Sequence, residues 1–269
     1  MSRRDSESGT QIVYFSHGGG PLPILGDPGH QAMIDFMTRL PSRLRRPEAI
    51  LVLSAHWEES AATLLGAARP PMLYDYYGFP ERAYQIQYPA PGSPALAARI
   101  AGMLEAQGIP ARVDAERGFD HGLFIPLTMM YPAADIPCLQ LSLLRGLNPA
   151  AHIALGRALR GLKEENLLVI GSGFSFHNMQ AFFWEGAGGP DPANDAFQDW
   201  LIQTCTGPRP QAEAERRLIE WEKAPHARYC HPREEHLLPL HVCLATAGRP
   251  AGLVFDDKIL GMRSVGFLW

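Results

Sequence analysis

Short apolar runs recur along the chain, with segments of helical period between them. Residues 11–15, 49–54, 137–143, 167–170 and 251–255 are apolar runs of strand length, and they predict buried strands. Residues 31–40 carry Met33, Ile34, Met37 and Leu40 on one face, as an amphipathic helix does. Residues 94–107 predict a second helix, with Ser93 as its N-cap, Pro94 at the first helical position and Gly108 just beyond its end. The same logic gives a helix over 149–163 behind Asn148, and further helices over 194–204 and 213–221. A last helix is expected over 233–247 before Gly248, with Pro239 kinking it or delaying its start.

Strands alternating with helices predict an α/β fold, a central mixed or mostly parallel sheet flanked by helices. No internal repeat interrupts the pattern. The Pro/Gly-rich stretches at 68–80, 88–94 and 186–192 are too short to separate domains. Residues 11–269 therefore read as one domain, preceded by a disordered tail over residues 1–10. With 269 residues, 46% of them apolar and 19% charged, the chain is long and apolar enough for a substantial core.

Charge narrows the partners. A net charge of -4 leaves no basic footprint for nucleic acid. No apolar run nears the roughly 20 residues of a membrane-spanning helix, and no apolar segment follows Arg3 and Arg4 as in a signal peptide. Four widely spaced cysteines without a C-x-x-C pair read as free thiols in a reducing compartment, so the expected location is cytoplasmic.

In open α/β sheets, ligands bind beyond the carboxyl ends of the strands, and this puts the site there. Three predicted strands are followed by histidine: His17 in SHGGGP, His56 in SAHW and His177 in GSGFSFHN. His121 follows in GFDHG, a Gly-flanked loop ahead of a helix, and His236 in HPREEHLLPL, at the start of the last helix. One such histidine is more often a structural residue than a ligand. Three at equivalent strand ends, with two more in Gly- or Pro-framed loops, point to a metal centre assembled by the fold, with Glu235 as an oxygen ligand on offer. Of the other histidines, His30, His152 and His226 read as surface residues, His231 as part of the site rim and His241 as a packed core residue. Gly18–Gly20 lacks the continuation of a phosphate-binding loop, and Gly171-Ser172-Gly173 is no nucleophile elbow.

Taken together, SHGGGP, SAHW, GFDHG, GSGFSFHN and PREEHLLPL resemble the class III extradiol ring-cleavage dioxygenases. YDYYGFPERAYQIQYPAPGSPALAARI and MYPAADIPCLQLSL resemble the DOPA 4,5-dioxygenase-like branch, related to the catalytic β subunit of protocatechuate 4,5-dioxygenase. The resemblance runs from about residue 13 to about residue 267. The chain departs from that branch in its first loop, which reads HGGGP, and ahead of its last helix, which is preceded by HPREEH. The resemblance implies a mononuclear non-haem Fe(II) site that opens a catechol-type aromatic diol, DOPA-like or related, with O2. It implies His17, His56 and His236 as metal ligands, with Glu235 a rival for the third place. It implies His177 as a fourth ligand or a nearby acid, and His121 as the acid/base. Trp57, Phe119, Phe124, Phe174 and Phe176 flank these histidines as candidates for an apolar wall. Arg228, Tyr229 and Arg233 are candidates to meet a substrate carboxylate. The residues alone also admit a zinc-dependent hydrolase, since Zn(II) can occupy the same ligands, or a non-enzymatic metal-binding protein.

Overall fold

The computed structural model describes residues 9–182 and 189–269. The expected tail therefore lies outside the described residues over 1–8, and so do residues 186–188 of the predicted loop. Thr10 is tied to the fold, its amide N–H donating to Lys163 O at 2.9 Å.

Eight strands form one mixed sheet: β1 (Gln11–Ser16), β2 (Ala49–Glu59), β3 (Ala62–Leu65), β4 (Ala111–Asp114), β5 (Cys138–Leu144), β6 (Leu167–Gly173), β7 (Gly252–Ile259) and β8 (Met262–Leu268), in the order β4-β3-β5-β2-β6-β1-β8-β7. The central strands β5, β2, β6 and β1 run parallel. Helices cover both of their faces, and for that reason they read as continuous apolar runs rather than alternating ones. β3, β4 and β8 escape the sequence reading. β3 and β4 are only four residues long, and β4 exposes Arg112 and Val113 at the sheet edge. The β7–β8 hairpin turns on Leu260 and Gly261, both at positive φ (51° and 81°). That is the conformation of a type I′ turn, in which asparagine or glycine rather than leucine is the usual signal.

The described helices are α1 (Gln31–Arg39), α2 (Pro94–Glu105), α3 (His121–Met130), α4 (Pro149–Leu159), α5 (Met179–Phe182), α6 (Pro192–Thr206), α7 (Gln211–Ile219), α8 (Ala227–Cys230) and α9 (Leu238–Ala247). Asn148 caps α4 by accepting from Ala151 N–H, but Ser93 makes no capping bond from its side chain at α2. The final helix starts five residues later than expected. Pro239 has no N–H to give and fits only in the first turn, so residues 233–237 form turns ahead of the helix. α9 is apolar on all sides and buried from Leu238 to Thr246, packed on β1, β2, β6 and α4.

Register brings the site together. Ser16 pairs with Gly173 and Ser54 with Ser172, so β1, β6 and β2 reach their carboxyl ends side by side. Between Leu53 and Glu58 the β2–β5 ladder breaks, and four residues, Ser54 to Trp57, stand opposite Ser142 alone. A bulge of this kind re-aims side chains, and His56 lies within it.

Candidate metal centre

His17 enters the centre from a loop that glycine permits. Gly18 has φ +86° and Gly20 has φ +56°. A Cβ on Gly18 would lie 2.9 Å from the His30 ring and 3.0 Å from Met33, so the loop needs both the positive φ and the missing side chain. His30 is thus no surface residue. It is fully buried, its Nε2 accepting from Gly19 N–H at 3.0 Å and its Nδ1 facing Asp27 at 2.9 Å, and it pins the glycine loop. His152 is also buried, accepting from Leu144 N–H and donating to Asn148 O. An imidazole that takes over a backbone partner looks polar in sequence yet belongs inside. His226 is exposed, and His241 is packed against Leu218 O as expected. His231 does not line the rim. It is buried on Ser175 O, and burial lowers its pKa to about 3.

Four of the five singled-out histidines surround one point. His17 and His56 face each other with Nε2 atoms 3.0 Å apart. The His236 ring lies 5.3 Å from that of His17 and 4.9 Å from that of His56, and His121 lies 5.3 Å and 3.9 Å away from the same two. Each of His17, His56 and His236 offers a nitrogen, all within 4.8 Å of one another. His177 stands beside them, stacked on His236 at 3.5 Å. Its nitrogen groups with His236 and Glu235 rather than with His17 and His56.

Hydrogen bonds fix the tautomer of His17. Ser172 Oγ donates to the carbonyl of Gly122, which can only accept. The serine oxygen is then an acceptor for His17 Nδ1–H at 3.0 Å, and His17 Nε2 keeps its lone pair. Ser172 is thereby a positioning group and no nucleophile. His236 Nδ1 meets Glu235 Oε1 at 2.9 Å, leaving its Nε2 free, and the same oxygen is 3.2 Å from His177 Nδ1. Glu235 so spends its oxygen on ring nitrogens, in the manner of the carboxylate partners that orient metal-bound histidines. The turn carrying His236 is anchored through its own carbonyl, which accepts from Phe174 N–H at 3.0 Å and from Tyr14 O–H at 3.2 Å.

Burial, then the charges of His121 and neighbouring histidines, drives the pKa of His17 and of His56 well below the ordinary value. Burial lowers that of His236 to about 3, with His177 adding to the effect. Burial raises the Glu235 carboxyl, but the bonds and charges of His177 and His236 outweigh it and hold it well below the carboxylate range. Burial likewise works against ionised Asp75, and its hydrogen bond to His121 more than offsets this. His17, His56 and His236 are thus neutral imidazoles beside two ionised carboxylates, Glu235 and Asp75.

That donor set suits a first-row divalent ion. Two nitrogens each roughly 2.1 Å from one ion at near right angles sit about 3 Å apart, the separation His17 and His56 already have. Cysteine plays no part, since all four thiols are buried and free, with burial pushing the pKa of each well above the ordinary thiol value.

Two positions eluded the sequence reading. Asp75 sits 2.8 Å from His121 Nδ1 and 3.7 Å from His56 Nδ1, and it groups with both as possible ligands. Tyr76 stacks edge-on to His121 at 5.8 Å and packs against Phe124. The YDYYGF stretch was the available signal, but nothing in it says which residue faces inward. Trp57, Phe119, Phe124, Phe174 and Phe176 are all buried, and Arg117 lies over Trp57 at 4.4 Å. Arg228 is occupied by Glu222, Glu234 and the face of Trp221, and Tyr229 donates to Asp191. Arg233 pairs with Glu58 at 2.6 Å and reaches Glu235 at 3.4 Å.

The join between sheet and site is tight at Gly173, where a Cβ would lie 2.1 Å from His236 O. Gly173→Ala must push that turn away. It is expected to destabilise the fold by about 1–3 kcal/mol and to weaken metal binding with it. Urea midpoints and metal titration check this, and wild-type values in both would show that the turn is not held as described.

Residues 13–262 match a family model described as the catalytic LigB subunit of aromatic ring-opening dioxygenase. The chain is 39% identical over 278 residues to a dioxygenase, tasH, of Hapsidospora irregularis, which covers 96% of this chain and 85% of that protein. It is 37% identical over 274 residues to the 4,5-DOPA dioxygenase extradiol of Beta vulgaris, with 97% of each covered. The crystal structure of an uncharacterized Escherichia coli K12 protein is similar with a TM-score of 0.76 at 30% identity, over 96% of this chain and 98% of that one.

Proposed function

Since the chain belongs to the family of the catalytic LigB subunit of aromatic ring-opening dioxygenases, we propose that it opens a catechol-type diol with O2 at a mononuclear non-haem Fe(II). The diol is of the DOPA kind, in line with the name of the Beta vulgaris relative. The product keeps both oxygen atoms, as a ring-opened semialdehyde cleaved beside the diol. The observation that carries this reading is the convergence of His17, His56 and His236 on one point with His121 against them.

His17, His56 and His236 would hold the ion through Nε2, each having its Nδ1 occupied or turned outward. Ferrous iron, when bound there, would bring diol and O2 together and pass electron density from one to the other. His121 takes the proton of a diol hydroxyl, a task for an imidazole that can accept and return a proton near neutral pH. His177 is the acid, its ring oriented by the Glu235 carboxylate at its Nδ1. Buried aromatic side chains around His121, Tyr76 and Phe124 among them, favour a flat ring over a flexible polar ligand. Catalysis belongs to the one domain of residues 11–269. Four free buried thiols support a cytoplasmic location, and no described helix is long and apolar enough to cross a membrane.

Anaerobic reconstitution with Fe(II), followed by oxygen-electrode measurement over DOPA, caffeate and protocatechuate, tests the reading. Oxygen uptake with a yellow ring-opened product is expected, DOPA leading. A protein with one iron per chain that consumes no oxygen with any of the three would overturn the assignment of substrate class.

A further inference from the structure

The segment ahead of α2 is clipped to the segment ahead of α3. Phe119 N–H donates to Pro71 O at 2.9 Å, and Leu73 N–H donates to Phe119 O at 2.8 Å. Gly118 allows the close approach, since a Cβ there would lie 2.4 Å from Pro71 O. These bonds hold Asp75 against the first residue of α3. Its Oδ1 accepts from the His121 backbone N–H at 3.0 Å and lies 2.8 Å from His121 Nδ1. Its Oδ2 lies 3.7 Å from His56 Nδ1.

A carboxylate only accepts, so the short contact at Nδ1 puts the single N–H of the neutral His121 ring on that nitrogen. Nε2 then carries the lone pair. Without the carboxylate, the proton is free to sit on Nε2, and a ring so protonated offers no lone pair at that nitrogen. Two bonds from one oxygen, to the backbone and to the ring of the same residue, also fix the side-chain torsions of His121. Gly122, next in the chain, holds its carbonyl on Ser172 Oγ, so the start of α3 has little room to turn.

We propose that Asp75 is a positioning residue of this active site, holding His121 in the Nδ1–H form with Nε2 open to take the diol proton. The proposal rests on the ring-cleaving reading for its consequence in turnover, but the tautomer itself is a property of the protein alone. Asp75 acts through His121 and does not touch the diol.

The test has two arms. In the first, 15N–1H NMR of the metal-free protein follows the His121 ring, its signals identified by their absence in His121→Gln. The wild type is expected to show a downfield Nδ1–H and an unprotonated Nε2, and Asp75→Asn and Asp75→Ala to lose that pattern. Unchanged His121 signals in a folded variant would overturn the proposal, and the near-isosteric Asn variant guards against a loss of fold in the Ala one. In the second arm, the iron-loaded variants are expected to keep one iron per chain and a diol KM close to wild type. Their kcat should fall about tenfold or more, within the range that general-base loss produces, and formate should partly restore Asp75→Ala. A raised KM with intact kcat would count against a role through His121. The first arm uses no iron, diol or oxygen, so failure of the ring-cleaving reading would appear as an inactive wild type with the NMR pattern still present.

Discussion

Replacing His17 with alanine is expected to leave a folded protein that no longer retains iron. Its Nε2 is one of two nitrogens standing 3.0 Å apart, and the Ser172 hydroxyl holds its Nδ1–H. Removing it takes away one of the three proposed ligands and would leave His56 and His236 to hold the ion alone. Loss of a group that merely orients a ligand costs roughly 10–100-fold in metal affinity, and loss of the ligand itself should cost more. The fold should survive, because Ser172 keeps its bond to Gly122 O and the substitution removes a single buried ring. A change of about 1–2 kcal/mol in the stability of the metal-free protein is expected. Metal content after anaerobic reconstitution and desalting is the decisive measurement. One iron per chain in His17→Ala would remove His17 from the ligand set and with it the geometry argued for the centre. His56→Ala should behave alike.

His121→Ala should separate binding from turnover. The His121 ring lies 3.9 Å from that of His56, yet its Nδ1 is turned to Asp75 and it does not group with His17 and His236. Iron content should stay at the wild-type level. Loss of a general base should lower kcat by roughly 10²–10⁴-fold, equivalent to about 3–5 kcal/mol of transition-state stabilisation. Oxygen uptake under saturating diol measures it. Full activity in His121→Ala would end its assignment as the base and shift that role to His177. Loss of iron in this variant would instead make His121 a ligand.

The structure bears out the sequence reading where the signal is local. Apolar runs of strand length, a proline at the first turn of α2 and α4 and a glycine past the end of α9 are properties of neighbouring residues, and these elements form close to where expected. The strand-end rule put His17 and His56 at one mouth of the sheet, because the direction of a parallel strand and its last apolar residue are both legible in sequence. Histidines in polar surroundings were less legible. His30 and His152 looked like surface residues, and only the fold gave them backbone partners inside.

What the sequence by itself determined was the class of fold, the segments that build it and the set of five histidines from which a centre is made. The tertiary structure decided how those histidines are used. The bulge that re-aims His56 depends on the register of β2 against β5. Ser172 reaches His17 across 155 positions, and Asp75 reaches His121 across 46. Glu235 turns to His236 and His177 because Pro239 delays α9 and leaves residues 233–237 as turns. Periodicity and capping act over a few residues, so the pattern of the chain records them. Register, crossovers and the packing of one loop on another join residues far apart along the chain, and those contacts fix which nitrogen of each ring carries a proton and which faces the centre.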